Sequence, residues 1–355
     1  MANQAETFLA VTTMKNEAPF MLEWVAHNQA IGYDSFLIFT NDCDDGTDDI
    51  ARRLDELGIA SHVNNNDRPL GRRTERPVSP QRYALRVAKR HERFEDADWV
   101  ICCDCDEFLN LRTGATLPDL VKASGPADAI SVCWKLFGNG FRRHYEDVPV
   151  MEQFFRAAPE DSFTNFRGAG IKTLFRNNGA FHRMGVHRPK VIPEQAPDPD
   201  KPYAHVTWRD AGGQTHDAET ITWRSWSGFS HGFARMHHYA IRSCDSFLVK
   251  RDRGRTNHVL LDQGRDYFDA MNTNQTRDDT MMQRVPGMLE ARAKLLSDPV
   301  LKELHEHGVA WHRAKIEDIK SRADWEEFID MVYSHPGVAT RTKKQRLAEA
   351  EAAKR

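Results

Sequence analysis

The chain has no apolar run near the ~20 residues that a membrane-crossing helix needs, although 40% of its 355 residues are hydrophobic. No segment therefore reads as a membrane span, yet a sizeable core can be buried. Net charge is also lacking. Charged residues make up 28% of the chain but sum to only −3, which gives no general electrostatic case for binding nucleic acid. Met1 to Thr7 is polar and lacks the basic-then-apolar pattern of a leader, so the expectation is a cytoplasmic protein. Cysteine is sparse, at six residues. Cys43, Cys133 and Cys244 are scattered and suggest no disulfide framework. Cys102, Cys103 and Cys105 invite a zinc reading, but adjacent strand residues face opposite ways, so buried thiols are expected. There is no internal repeat and no Walker-type phosphate loop.

What is present is alternation. Phe8 to Val11 is a short apolar run, a buried strand. Pro19 opens a helix with Met21, Leu22, Val25 and Ala26 on one face and Gly32 past its end. Phe36 to Phe39 is a second strand. Asp48 or Asp49 starts a helix that stops at Gly58, and Ile59 to Val63 is a third strand. A polar loop over 64–80 leads to a helix over 81–94. Trp99 to Cys103 is a strand, Leu117 to Ala123 a helix and Ala129 to Trp134 a strand. Later strands are expected at Ile171 to Phe175 and Ala234 to Ile241, with a helix from Ser243 to Arg253. Everything from Pro286 on looks helical, with a frayed helix or tail over 347–355. This rhythm implies an α/β domain with a mostly parallel sheet, whose ligands bind beyond the carboxyl ends of the strands. The loops Thr12 to Glu17, Thr40 to Asp42 and Asp104 to Asp106 emerge there.

Asp104 and Asp106 stand two apart at the end of an apolar strand. Two carboxylates so placed share a face, and burying both is costly without a counter-ion. Mn²⁺ or Mg²⁺ suits such oxygen ligands; a solvated capping turn is the alternative. The loop Asn41 to Asp49 imitates a calcium loop with Gly46 in sixth place. Cys43 and Arg52 then occupy the third and twelfth positions, which an EF-hand does not allow.

In sequence order, Met14-Lys15-Asn16-Glu17-Ala18-Pro19 with Leu22-Glu23-Trp24, Asn41-Asp42-Cys43-Asp44-Asp45-Gly46-Thr47, the Asp-x-Asp-Glu-Phe-Leu motif ending at Leu109, Trp134 to Gly138, Lys172 to Arg176, Gly185 to Pro189, His238-Tyr239, Arg242-Ser243 and Lys250 to Gly254 resemble a GT-A glycosyltransferase. The likeness is to the family-2-like group related to family 92, and it spans roughly residues 7–254. It implies a GT-A fold, a Rossmann-like mixed sheet flanked by helices, over 1–255. A mainly helical extension would occupy 256–355.

The resemblance further implies a nucleoside-diphosphate sugar, a UDP-sugar favoured, and a glycan or lipid-linked acceptor. Thr13, Lys15, Glu17, Asn41, Asp42 and Asp104 would line the donor site. Lys172, His238, Lys250 and Arg253 would face its diphosphate. Asp104, Asp106 and His187 would hold Mn²⁺ or Mg²⁺, with His238 a second candidate. Family-2 enzymes often carry an aspartate pair where this chain has Thr40-Asn41. An inverting transfer needs a general base; Glu152 is the first candidate and Asp147 the second. Trp134, Phe137 and Phe141 are aromatics that could stack on sugar rings. The basic run Arg341 to Arg346 would allow at most peripheral membrane contact. The competing readings are a metal-dependent nucleotidyl or phosphoryl transferase and a non-catalytic nucleotide-sugar-binding protein.

Overall fold

The structure is a computed structural model that describes residues 5–69, 78–160, 169–191, 205–225, 229–254 and 263–334. The expected tail and the basic run lie outside the described residues.

The first elements are β1 (Phe8–Met14), α1 (Ala18–Ala30), β2 (Ser35–Thr40), α2 (Thr47–Glu56), β3 (Ala60–Asn64), α3 (Pro80–Ala88), α4 (Glu92–Glu95), β4 (Trp99–Cys102) and β5 (Glu107–Leu111). Next come α5 (Leu117–Ser124), β6 (Ala129–Leu136), α6 (Val150–Gln153), β7 (Arg156–Ala157), β8 (Ile171–Arg176), β9 (Phe181–Arg183), β10 (Lys190–Val191), β11 (Trp208–Asp210), β12 (Thr215–His216) and β13 (Ala234–His238). The remainder is α7 (Cys244–Arg253), α8 (Arg265–Met271), β14 (Thr276–Arg277), α9 (Val285–Leu296), α10 (Pro299–Lys320) and α11 (Glu326–Ser334).

The main sheet runs β12-β11-β6-β8-β4-β1-β2-β3, and β13 joins β6 to β5. Strands β4, β1, β2 and β3 are mutually parallel. Strand β8 runs antiparallel to both its neighbours, β4 and β6. Consequently β6 is parallel to β4, and the carboxyl ends of β1, β2, β3, β4 and β6 share one edge. Reversed β8 brings its beginning, Lys172, to that same edge. The fold is α/β with a central, mostly parallel sheet flanked by helices, as the alternation predicts.

Two apolar cores cover the sheet. One joins Phe8, Trp24, Phe36 and Ile101 to Val285, Met288, Leu295 and Leu301. The other packs Leu9, Val11, Leu37 and Phe39 against Ala84, Leu85 and Ala88 of α3. The C-terminal helices therefore share a core with β1 and α1. Contact between α10 and α1 is close: a Cβ at Gly308 would meet that of Ala18 at 2.5 Å.

Three expected elements end differently. The helix expected over 81–94 is two pieces, because His91 caps α4 by accepting from the Arg93 N–H at 3.2 Å. Strand β4 stops at Cys102; two residues on, the Asp104 N–H turns to the Glu107 carboxylate at 2.8 Å. Strand β13 stops at His238, and the Tyr239 N–H extends its pairing by one bond to the Asp106 carbonyl, 2.8 Å away. Helix α2 begins at Thr47, one residue before Asp48, after Gly46 in a left-handed turn at φ +86°.

Candidate active site

The Asp-rich loop after β2 turns partly inward. Asp45 is fully buried and accepts from the N–H groups of Ala18 and Thr47 at 2.8 and 2.9 Å. It thus holds the start of α1, and the Thr47 hydroxyl takes the Glu17 N–H at 2.8 Å. This is scaffolding built from the residues that imitate a calcium loop.

Asp104 and Asp106 stand in the turn between β4 and β5, and each meets a lysine. Asp104 Oδ2 lies 3.1 Å from Lys172 Nζ, and its Oδ1 accepts from Gln81 at 2.8 Å. Lys172 is fully buried and also pairs with Glu107 at 3.0 Å. Burial alone would lower the Lys172 pKa, but Asp104 and Glu107 hold it well above the ordinary value. Glu107 goes the other way: its burial outweighs Lys172 and raises its pKa.

Asp106 contacts Lys250 Nζ at 2.5 Å and His238 Nε2 at 3.5 Å. Burial would raise its pKa, but Lys250 and His238 drive it well below the usual carboxylate range. His238 lies 4.4 Å from the ring of Trp134, and its buried Nδ1 has no partner. Its neighbour His237 points the other way, stacking near Phe137 at 4.5 Å, as strand alternation requires.

His187 sits against Trp134 and Trp223. Its Nδ1 lies 3.0 Å from the Ile171 carbonyl. Burial and then the Lys172 charge push its pKa down to about 4, so the ring is neutral. A neutral ring must donate from Nδ1 to that carbonyl, which leaves the Nε2 lone pair available, the arrangement of metal-ligating histidines.

The donor-side residues divide into two groups. Glu17 is buried between Arg242, at 2.8 Å, and Arg253. Burial pushes its pKa up, yet the two arginines outweigh that and lower it. Arg242 is held at φ +58°, reaches the Cys105 carbonyl at 3.2 Å and covers the ring of Phe20 at 3.6 Å. Arg253 donates to the carbonyls of Lys15 and Asn16. These charges tie the β1 loop, the Asp-x-Asp turn and α7 together.

The other group is unsatisfied. Thr13 and Asn41 continue the faces that Val11 and Phe39 turn toward α3. Thr13 Oγ1, Asn41 Oδ1 and Asn65 Oδ1 are all buried, and among the described residues none has a hydrogen-bond partner. The amide orientations are dictated by neighbours: Asn41 Nδ2 donates to Asp42 at 3.0 Å, and Asn65 Nδ2 donates to the Pro80 carbonyl at 2.9 Å. Both Oδ1 atoms are thus fixed acceptors. Asp42 is exposed, at φ +47°.

Glu152 is half-buried on α6 and makes no contact with Asp104 or Asp106. Buried Glu23 holds the start of α6 by accepting from the N–H groups of Val150 and Met151 at 2.7 and 2.9 Å. Asp147 pairs instead with His305 at 3.4 Å. Phe137 is buried and Trp134 partly buried against the core, whereas Phe141 is 48% exposed at φ +64°.

Asn65 and Gln81 escaped the sequence reading. Asn65 follows β3 as Asn41 follows β2, so the rule of looking past each strand's carboxyl end would have found it. Nothing in the sequence marks Gln81. Among the described residues, no group of three or more His, Cys, Asp or Glu is placed to hold a metal ion as the side chains stand. No helix among them is long and apolar enough to cross a membrane. A cleft of about 860 Å³ lies elsewhere, lined by Gln29, Leu57, Leu295 and Pro299. Its charged groups are paired, Glu290 with Lys294 and Asp298 with Arg53.

No family model matches the chain. Over 119 residues, 34% of its length, it is 27% identical to a glycosyltransferase family 92 protein of Oryza sativa subsp. japonica. That stretch is 19% of the rice protein, so the match spans about a fifth of that relative. Among solved structures, S. aureus TarS (residues 1–349) overlaps 93% of this chain and 90% of its own, at 11% identity and a TM-score of 0.29. A nucleoside-diphosphate-sugar pyrophosphorylase from Vibrio cholerae overlaps 48% of this chain and 74% of its own, at 12% identity and a TM-score of 0.25. At such scores the overlaps carry no weight, and the fold assignment rests on the sheet order. The resemblance to glycosyltransferases carried by the motifs is thus met by a sequence relative of that kind.

Proposed function

We propose that the chain is a glycosyltransferase that moves a sugar, with inversion, from a nucleoside diphosphate to a glycan or lipid-linked acceptor. One observation carries this reading. Buried polar atoms without partners line the carboxyl ends of β1, β2 and β3, beside the Asp104/Asp106 turn. Leaving such groups unpaired costs about 1–3 kcal/mol each, a cost that a bound polar ligand removes. A nucleoside fits, since a ring N–H and ribose hydroxyls are donors for the two fixed amide oxygens. Uracil and guanine each keep one ring N–H in a nucleotide, so both bases match, and the motif resemblance favours UDP.

In this reading the diphosphate lies over Asp104 and Asp106. Their hard oxygens suit Mn²⁺ or Mg²⁺, and His187 Nε2 is available as a nitrogen ligand. A bound cation would neutralise charge on the departing diphosphate. Lys172 and Lys250 add positive charge from the chain itself. Glu152, held near the carboxyl end of β6 through Glu23, is the proposed base for the acceptor hydroxyl.

The test is incubation with UDP- and GDP-sugars, a panel of acceptors and Mn²⁺, reading nucleoside diphosphate release. Asp104→Asn with Asp106→Asn is expected to lower turnover at least about a hundredfold. Full activity of that variant, or of the wild type in chelator, would sink the cation role. Release of pyrophosphate in place of nucleoside diphosphate would move the protein to nucleotidyl transfer.

A further inference from the structure

Lys250 stands where a cation on Asp106 would have to stand. Its ammonium lies 2.5 Å from Asp106 Oδ2, with side-chain exposures of 14% and 9%. It also donates to the Ala240 carbonyl at 2.8 Å, so both partners hold it on the turn that leaves β13. The second Asp106 oxygen faces His238. Asp104 is likewise closed, by Gln81 and Lys172. The two lysines are not equivalent. Lys172 is fully enclosed and shared with Glu107, so it keeps a carboxylate partner if Asp104 is taken from it. Among the described residues Lys250 has no other carboxylate in contact. It projects from α7, and a lysine stem is flexible enough to swing its charge several ångströms.

We propose that Lys250 is a resident counter-ion of Asp106 that a divalent cation must displace, and that the displaced ammonium then binds the donor's diphosphate. This rests on the reading of Asp104 and Asp106 as the cation site. The two occupants exclude each other, because a divalent ion and an ammonium a few ångströms apart repel strongly in a buried place. Cation without diphosphate leaves Lys250 with no anion. Diphosphate without cation finds Lys250 already engaged. Each ligand removes the obstacle to the other, so the pair loads cooperatively, and by linkage the enhancement is the same in both directions.

The probe is Mn²⁺ itself, followed by the spin-resonance signal of the free ion, with the intact protein and with inorganic pyrophosphate as the diphosphate. Direct Mn²⁺–pyrophosphate association is subtracted by a protein-free titration. Wild-type protein is expected to bind Mn²⁺ weakly alone and at least about tenfold more tightly with pyrophosphate. Lys250→Met should bind Mn²⁺ alone at least about tenfold more tightly than wild type, and pyrophosphate should add little.

Thermal melting keeps the test independent of a folding defect. Lys250→Met strands a buried carboxylate, so it should melt early and be restored by Mn²⁺. Lys250→Met with Asp106→Asn should melt normally and ignore Mn²⁺. Equal Mn²⁺ affinity in wild type and Lys250→Met overturns the counter-ion role while leaving the cation site standing. Absence of Mn²⁺ binding in wild type and variant alike, with pyrophosphate present, overturns both.

Discussion

Two neighbouring parts of the carboxyl edge treat their polar atoms in opposite ways. In the knot of Glu17, Arg242 and Arg253, both carboxylate oxygens meet an arginine. A strand or two away, Thr13, Asn41 and Asn65 keep buried atoms with no partner. Glu17 and Asn41 are both buried and both belong to motif segments, so burial and pattern do not separate them. Satisfaction does. The Glu17 carboxylate is complete within the chain, although Arg242 Nε beside it is buried without a partner among the described residues; in the proposed reading Thr13, Asn41 and Asn65 await a ligand.

The largest effect should come from breaking the knot. Glu17→Ala leaves two arginines buried against each other, and a loss of about 3–5 kcal/mol in urea unfolding is expected. A loss below 1 kcal/mol would mean that Glu17 is not scaffold, and its place beside the nucleoside would return. Glu23 sharpens the contrast, because its bonds are complete but no cation touches it. Its pKa is raised to about 7 by burial, against the lowering effect of the Met151 and Val150 N–H groups. An ordinary glutamate titrates near 4.3, so the folded state holds this proton more tightly. The associated stability is full below about pH 4.3 and is lost as pH rises to about 7.

That window is isolated by subtraction. The stability of wild type minus that of Glu23→Gln should fall by about 2–3 kcal/mol between those limits. A pH-independent difference would remove the buried proton. The comparison is necessary because His27 and His187, pushed down to about 4 mainly by burial, act with the opposite sign. Their contribution is present above about pH 6.5 and is lost on acidification. The smallest effect belongs to the unsatisfied row. Asn65→Ala should change stability by less than about 1 kcal/mol and weaken UDP binding about tenfold, measured by calorimetry. Unchanged binding alongside a large stability loss would make Asn65 scaffold as well.

Most strands and helices of the first 136 residues were legible because each carries its own period and punctuation, such as Pro19, Gly32 and Gly58; strand β5, directly after the acidic turn, was not read. The Asp104/Asp106 turn was legible because charge at the end of an apolar strand is conspicuous. What stayed hidden depends on partners far away in sequence. Glu17 and Arg253 were placed at the donor site by the resemblance alone; that they pair with each other was hidden, because only folding brings them together across 236 positions. The inward turn of Asp45 was hidden by its resemblance to an ion-binding loop. The reversed direction of β8 was hidden too, since a strand's apolar pattern reads alike from either end. It is this reversal that delivers Lys172 to the edge.

Helix α1 carries one further consequence, for the making of the protein. Eleven of its residues, from Ala18 to Asn28, are buried, and much of the cover is α9 and α10, drawn from residues 285–320. On a ribosome, a nascent chain that has emerged only as far as α7 has its first four parallel strands in hand and a helix bearing Trp24 with one side bare. Such a surface invites premature association. The early strands can pair as they appear, but consolidation has to wait for a segment made some 270 residues after α1 begins, and at ~5–20 residues per second that delay is on the order of 15–50 seconds. Synthesis rate and chaperone supply, more than the intrinsic speed of sheet formation, should set the yield of active protein.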